Sequence, residues 1–248
     1  MATLTRDGLD LHYEVSGSGP VLLLTEANFP WDHLDVGLLA GRFTVVTASP
    51  RGFAASSRLA AGADYCVADL AGDLLAVMHA AGFERFSVFG YSFTGALAPW
   101  LARLTGRVDA VVSGGFPILG DYSAIDPEVQ RRTEAARSDP VAWSYLTSRF
   151  DDRAALRFYR ELSGLPPDFL ADDLPCPLFA FWGDDDEEIA AAGGGQVLAS
   201  GLDRRGVKHV SFPGYDHEGM LTNINDAIPS VLAWFDELPH PGRVRTNA

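Results

Sequence analysis

Cysteine is scarce in this chain: two in 248 residues, Cys66 and Cys176. Neither stands at a metal-ligand spacing, and two isolated cysteines make no disulfide framework. Both read as reduced structural thiols, one at a helix start and one at a strand entrance. Positive charge is also short. Nineteen Lys and Arg face 33 Asp and Glu, giving a formal charge of −14, which opposes any binding that relies on neutralising phosphates. Nucleic acid and anionic membranes are therefore disfavoured as partners, and the charge says nothing positive about a small-molecule substrate. Long apolar runs are missing as well. No segment approaches the ~18 to 20 residues that span a bilayer, and the opening M-A-T-L-T-R-D-G-L-D has no basic start followed by an apolar stretch. A soluble, cytoplasmic protein is the expectation. No phosphate-binding glycine loop follows a strand, since the triplet Gly193 to Gly195 lies in helix-like sequence; no cofactor and no metal are expected.

Apolar residues make up 47% of the chain, enough for a sizeable core in one domain of this length. Apolar β-rich runs alternate with helical periodicity. Ala2 to Arg6 and Leu9 to Val15 flank Asp7-Gly8, a strong hairpin signal. Val21 to Thr25, Phe43 to Ser49, Val108 to Gly115, Pro177 to Phe181 and Val207 to Phe212 read as further strands. Between them, Tyr65 to Ala81 predicts a helix with Val67, Leu70, Leu74, Val77 and Met78 on one face, and Asp69 and Asp73 on the polar one. Continuous apolar strands separated by helices argue for a parallel sheet covered on both faces. The segment 118–171 breaks the rhythm: it is helical, charged and aromatic, and too long for a simple loop. It predicts a small helical cap on a single domain whose core is 1–117 and 172–240. A final helix is expected from Ala227 to Leu238, and a frayed tail at 241–248.

The segment Phe86 to Gly95, F-S-V-F-G-Y-S-F-T-G, carries the first chemistry. A buried strand collides with small residues around Ser92 and then becomes helical. A serine hydroxyl is a useful nucleophile when a sharp turn lifts it clear of the strand, beside a base and backbone N–H donors. Such a turn leaves no room for bulk two residues either side. Gly90 satisfies that and Thr94 departs from it. Two strands later comes W-G-D-D-D-E-E from Trp182, and after the last strand P-G-Y-D-H, ending at His217. Serine, acid and histidine thus follow in order, each just past a strand's carboxyl end.

On these three motifs together, G-Y-S-F-T, Gly183 to Asp186 as G-x-x-D, and Gly214 to His217 as G-x-D-H, the chain resembles the α/β-hydrolases over nearly its whole length. The resemblance implies an α/β-hydrolase fold, with a mostly parallel sheet, helices on both faces and a helical cap insertion. It also implies a triad of Ser92, Asp186 and His217, with Asp184 and Asp185 as the alternatives for the acid. His217 would accept the serine proton with a pKa near or below the ordinary imidazole value of about 6.5.

The chain departs from the family after its third strand. Thr25, Glu26 and Ala27 occupy the usual H-G-x positions. Backbone donors survive such side-chain changes, so the N–H groups of Ala27 and Phe93 are expected to form the oxyanion hole, with Glu26 turned away or, in the alternative, gripping an amine of the substrate or acting as a proton donor. The marker D-x-R-G-x-G-x-S is reduced to Pro50-Arg51-Gly52 and the final Ser56. Glu26, Asn28, Phe53, Tyr91, Trp143 and Trp182 are pocket candidates, and His33 lies near the same wall. The activity implied is hydrolysis of a small uncharged ester or lactone through an acyl-enzyme. Cofactor-free lyase or cyclase chemistry on the same scaffold is the alternative, and a catalytically silent binder a third.

Overall fold

The computed structural model describes residues 2–26 and 31–239. Its elements run β1 (Ala2–Arg6), β2 (Leu9–Gly17), β3 (Val21–Thr25), α1 (Val36–Ala40), β4 (Thr44–Ala48), α2 (Val67–Ala80), β5 (Phe86–Tyr91), α3 (Phe93–Leu104) and β6 (Val108–Gly114). Then follow α4 (Ile125–Arg137), α5 (Pro140–Arg149), α6 (Asp152–Ser163), β7 (Leu178–Gly183), α7 (Glu187–Ala191), α8 (Gly195–Arg204), β8 (Lys208–Phe212), α9 (His217–Thr222) and α10 (Ile228–Glu237). The strands form one eight-stranded sheet in the order β1-β2-β4-β3-β5-β6-β7-β8. β2 pairs antiparallel with β1 and with β4, while every pairing from β4 through β8 is parallel. The expected strands and helices are all present, with ends displaced by a residue or two, as fraying termini allow. The tail at 241–248 lies outside the described residues.

Alternation along the central strands builds two cores. In β7, Leu178, Ala180 and Trp182 face one side, while Phe179 and Phe181 face the other. Period-two side-chain direction makes this unavoidable for a strand buried on both faces. The first core packs α2, α3 and α8 against the sheet, and the second packs α1, α9 and α10. The insertion between β6 and β7 holds α4, α5 and α6. Asp139 and Asp151 cap α5 and α6 by accepting backbone N–H groups of the first turn. In α6, Ala154, Ala155, Phe158 and Leu162 form one buried stripe. Phe158 is fully buried, its ring centroid 4.2 Å from that of Phe93. Burial of such a ring stabilises by roughly 1.5–3 kcal/mol, and here it ties the insertion to the first turn of α3.

Asp73 corrects the amphipathic reading of α2. It is fully buried, accepting from the Arg51 backbone N–H at 2.9 Å, from Arg51 Nε and Nη2 at 2.7 Å each, and from Arg6. Arg51, whose guanidinium also meets Asp7 at 3.0 Å, is held above its ordinary pKa chiefly by the Asp73 hydrogen bonds. Helical periodicity placed Asp73 opposite the apolar stripe, but two arginines from other elements close over it. Among the described residues no helix is long and apolar enough to cross a membrane.

Candidate active site

β5 ends at Tyr91, and the chain turns directly into α3 through Ser92, whose backbone lies at φ 54°, ψ −120°. A non-glycine residue with positive φ and that ψ is strained by roughly 1–3 kcal/mol and persists only where its surroundings fix it. The neighbours do so. A Cβ on Gly90 would lie 2.0 Å from the Thr94 carbonyl oxygen, so glycine is required there. Thr94 itself is accommodated because its hydroxyl joins the turn. It accepts the Tyr91 N–H at 2.8 Å and donates to the Tyr91 carbonyl at 3.0 Å.

The turn brings Ser92 Oγ to 2.9 Å from His217 Nε2, and His217 Nδ1 lies 2.9 Å from Asp186 Oδ2. His217 begins α9 after β8, and Asp186 precedes α7 after β7. Asp186 is buried and uses its second oxygen, Oδ1, to accept the N–H groups of Glu188 and Ile189, at 2.9 and 3.2 Å. One carboxylate thus caps a helix and faces an imidazole, which fixes its rotamer. Asp184 and Asp185 are exposed. The Nδ1–H must donate to Asp186, leaving Nε2 free to accept a proton from Ser92.

Burial alone would push the His217 imidazole down. The Asp186 hydrogen bond and charge, with Glu188 and Glu187 beyond, outweigh it and hold His217 above its ordinary 6.5. The direction is upward, where the expectation was a value near or below 6.5. Of the five carboxylates after β7, the fold sets Asp186, Glu187 and Glu188 near the ring and leaves Asp184 and Asp185 exposed.

Two cavities open onto Ser92 and His217. One, of about 240 Å³, is walled by Phe116, Pro117, Leu119, Tyr122 and Ile125. The other, of about 430 Å³, is walled by Trp143, Leu146, Phe150 and Leu221, with Asp152, Glu187 and Glu218 also lining it. Trp143 therefore stands where a pocket residue should.

Three other pocket candidates are corrected. Phe53 has no exposed surface and packs behind the cavities against Phe93 and Phe150. Trp182 points into the first core, stacked on His209, because strand alternation turns it away from Ser92. Tyr91 is buried beneath His217, where its hydroxyl donates to the His217 carbonyl at 2.8 Å; burial raises its pKa first, followed by the charge of Asp186. It supports the histidine instead of lining a pocket.

Glu26 accepts from Ser49 Oγ at 2.9 Å. Burial holds its pKa above the ordinary carboxylate value, opposed by the Ser49 hydrogen bond, reinforced by Glu14 and Asp32, and opposed by the Trp31 backbone N–H. Thr25 donates to the Phe89 carbonyl at 3.4 Å. Both departures from the expected turn are thus used in local bonding. Ala27 and Asn28 lie outside the described residues. His33 is exposed, and its carbonyl accepts from Asn225 at 2.9 Å. The N–H of Phe93 opens α3, where no carbonyl four residues earlier is in helical position to receive it.

The sequence reading missed Arg132, Tyr159 and Glu188, each of which lines both cavities. The aromatic content of the insertion was the available signal for Tyr159. Nothing local distinguished Arg132 within its charged run.

A model of the alpha/beta hydrolase fold family matches residues 23–132. Among solved structures, an esterase from Thermogutta terrifontis superposes with a TM-score of 0.72 at 17% identity, over 95% of this chain and 96% of that one. The enol-lactonase from Burkholderia xenovorans LB400 gives 0.68 at 18% identity, over 95% and 100%. MGS-M2, an alpha/beta hydrolase from a Medee basin deep-sea metagenome library, gives 0.74 at 13% identity, over 98% and 100%. No curated protein matches the sequence. Family model, strand order and whole-chain superposition agree that this protein has the α/β-hydrolase fold.

Proposed function

We propose that the chain is a serine hydrolase of small carboxylic esters or lactones, with Ser92 as nucleophile, His217 as general base and then acid, and Asp186 as the group that orients the imidazole. The observation that carries this reading is the continuous relay from Ser92 Oγ through both ring nitrogens to a buried carboxylate, at 2.9 Å on each side. Ser92 Oγ attacks the ester carbonyl as its proton passes to Nε2. Asp186 stabilises the imidazolium that results. The oxyanion gathers at the Phe93 N–H, with the second donor assigned to Ala27. Collapse expels the alcohol, protonated by His217, and water activated by the same ring cleaves the acyl-enzyme.

The helical insertion acts as the cap, because α4 and α6 contribute walls to both cavities and α5 to the larger one. The esterase and enol-lactonase with similar folds support hydrolysis as the class, and the apolar walls support an uncharged acyl or alcohol group. The test is a fluorophosphonate adduct mapped by mass spectrometry. Labelling is expected on Ser92 alone and lost in Ser92→Ala; a folded protein that takes no label, or takes it elsewhere, overturns the proposal.

A further inference from the structure

Six residues are common to the linings of both cavities: Ser92, His217, Val129, Arg132, Tyr159 and Glu188. The first two are the reacting pair. The other four divide the cleft, and the middle of the divide is an ion pair between Arg132 on α4 and Glu188 on α7. Arg132 is anchored a second time by Glu128, one turn earlier on its own helix, at 2.7 Å. The Tyr159 ring is set edge-on against Phe93 and Phe158, with centroids 5.7 and 5.4 Å away. The divide is therefore braced from three helices.

We propose that the Arg132–Glu188 pair, flanked by Tyr159, is the waist of a two-limbed cleft and determines which substrate limbs fit on either side of the scissile ester. This rests on the serine hydrolase reading and adds the substrate's shape to it. The limbs differ in kind. The smaller side is walled mainly by apolar residues, with Asp121 added and with Glu128 and Glu188 both paired to Arg132, and its 240 Å³ compares with the ~150 Å³ cavity that encloses benzene. By proportion it holds a compact hydrocarbon limb of roughly nine or ten carbons. The larger side adds Asp152, Glu187 and Glu218 to its aromatic wall, so a negatively charged limb meets like charge there. The favoured substrate joins one compact apolar limb to one larger limb that is neutral or cationic.

The waist also touches the chemistry through charge. His217 is faced by Asp186, Glu187 and Glu188 after β7, by Asp216 and Glu218 on its own segment, by Tyr91 beneath it and by Arg132 from α4. Removing Arg132 leaves Glu188 unneutralised and favours the imidazolium. Removing the Glu188 charge does the reverse.

The experiment uses the full chain and two ester series, one lengthening the acyl group and one the alcohol, with active sites counted by fluorophosphonate. Wild type should show a steep fall in kcat/KM along one series, and discriminate against a terminal carboxylate in the other. Arg132→Ala and Glu188→Gln should both relax the steep series, raising the long-to-short ratio about tenfold, the scale of a hydrophobic size contact. Their acid limbs should move in opposite directions, up for Arg132→Ala and down for Glu188→Gln. Arg132→Lys should restore most of both effects. General loosening of the cap would not split the two pH shifts. If Ser92 labels and esters turn over, yet all variants keep the wild-type length profile, the waist is overturned and the hydrolase reading stands. If Ser92 neither labels nor supports turnover, the hydrolase reading falls, and the waist with it.

Discussion

At the scale of single residues, His217 is the group whose environment makes the sharpest demand. It must be neutral to accept the serine proton, and the surrounding carboxylates favour its charged form. Activity is therefore lost as pH falls through a raised value, so the acid limb of kcat/KM should have its midpoint above 6.5. A midpoint at or below 6.5 would show that burial wins over the carboxylates. Asp186→Asn keeps the size and removes the acceptor that fixes the tautomer. By comparison with other triads it should lower kcat by about 10⁴-fold, with Asp184→Asn and Asp185→Asn far milder, as measured by steady-state kinetics. The opposite ranking would reassign the acid. Glu26 separates hydrolysis from the lyase or cyclase alternative. With its carboxylate held by Ser49, Glu26→Gln should change kcat/KM by less than about tenfold, or ~1.4 kcal/mol. A loss as deep as that of His217→Ala, together with poor turnover of simple esters, would favour Glu26 as a proton donor.

At the scale of elements, the turn between β5 and α3 explains what sequence could and could not disclose. Strand, apex and helix were legible because each is encoded locally: a buried run, small residues, then helical spacing. Thr94 looked like a defect in the motif, yet its hydroxyl closes the turn on both the N–H and the carbonyl of Tyr91. Thr94→Val, nearly equal in volume, should leave the buried Tyr91 N–H without a partner. It should destabilise by about 1–3 kcal/mol in denaturant titration and lower kcat as Ser92 shifts. An unaltered midpoint would mean that the backbone alone holds the elbow. The order of Ser92, Asp186 and His217 was equally legible, since strand ends carry them. Trp182 and Phe53 were misplaced for a different reason. Which way a side chain leaves a strand end, and what packs over it, depends on register and on neighbours far away in sequence. The waist was hidden for the same reason, because α4 and α7 meet only after the insertion folds back over the sheet.

At the scale of the whole molecule, the negative charge disguises two arginines, Arg51 buried and Arg6 half-buried, that hold distant segments together. Arg6 comes from the first hairpin, Arg51 from the loop after β4, and Asp73 from α2; their meeting fastens the antiparallel edge of the sheet to a helix of the first core. Breaking a buried ion pair by removing one partner typically costs about 3–5 kcal/mol, because the charge left behind stays desolvated. Asp73→Ala removes the buried carboxylate that two guanidinium groups share and leaves them the exposed Asp7, with Arg51 almost wholly buried. At ~2–4 °C per kcal/mol for a chain of this size, the melting temperature should fall by roughly 6–20 °C. Asp73→Asn, which keeps an acceptor oxygen but loses the charge, should lie between Asp73→Ala and wild type. The exposed pair of Lys208 with Glu237, at 3.3 Å, provides the contrast. Solvent and salt screen such a pair, so Lys208→Gln should leave the melting temperature where it is. Added salt separates the two cases further, since the Debye length shortens towards 3 Å at 1 M but mobile ions do not reach a carboxylate with no exposed surface. The Asp73→Ala deficit should therefore persist at high salt. A deficit that vanished there, or one no larger than that of Lys208→Gln, would show that hydrophobic packing alone secures the hairpin edge.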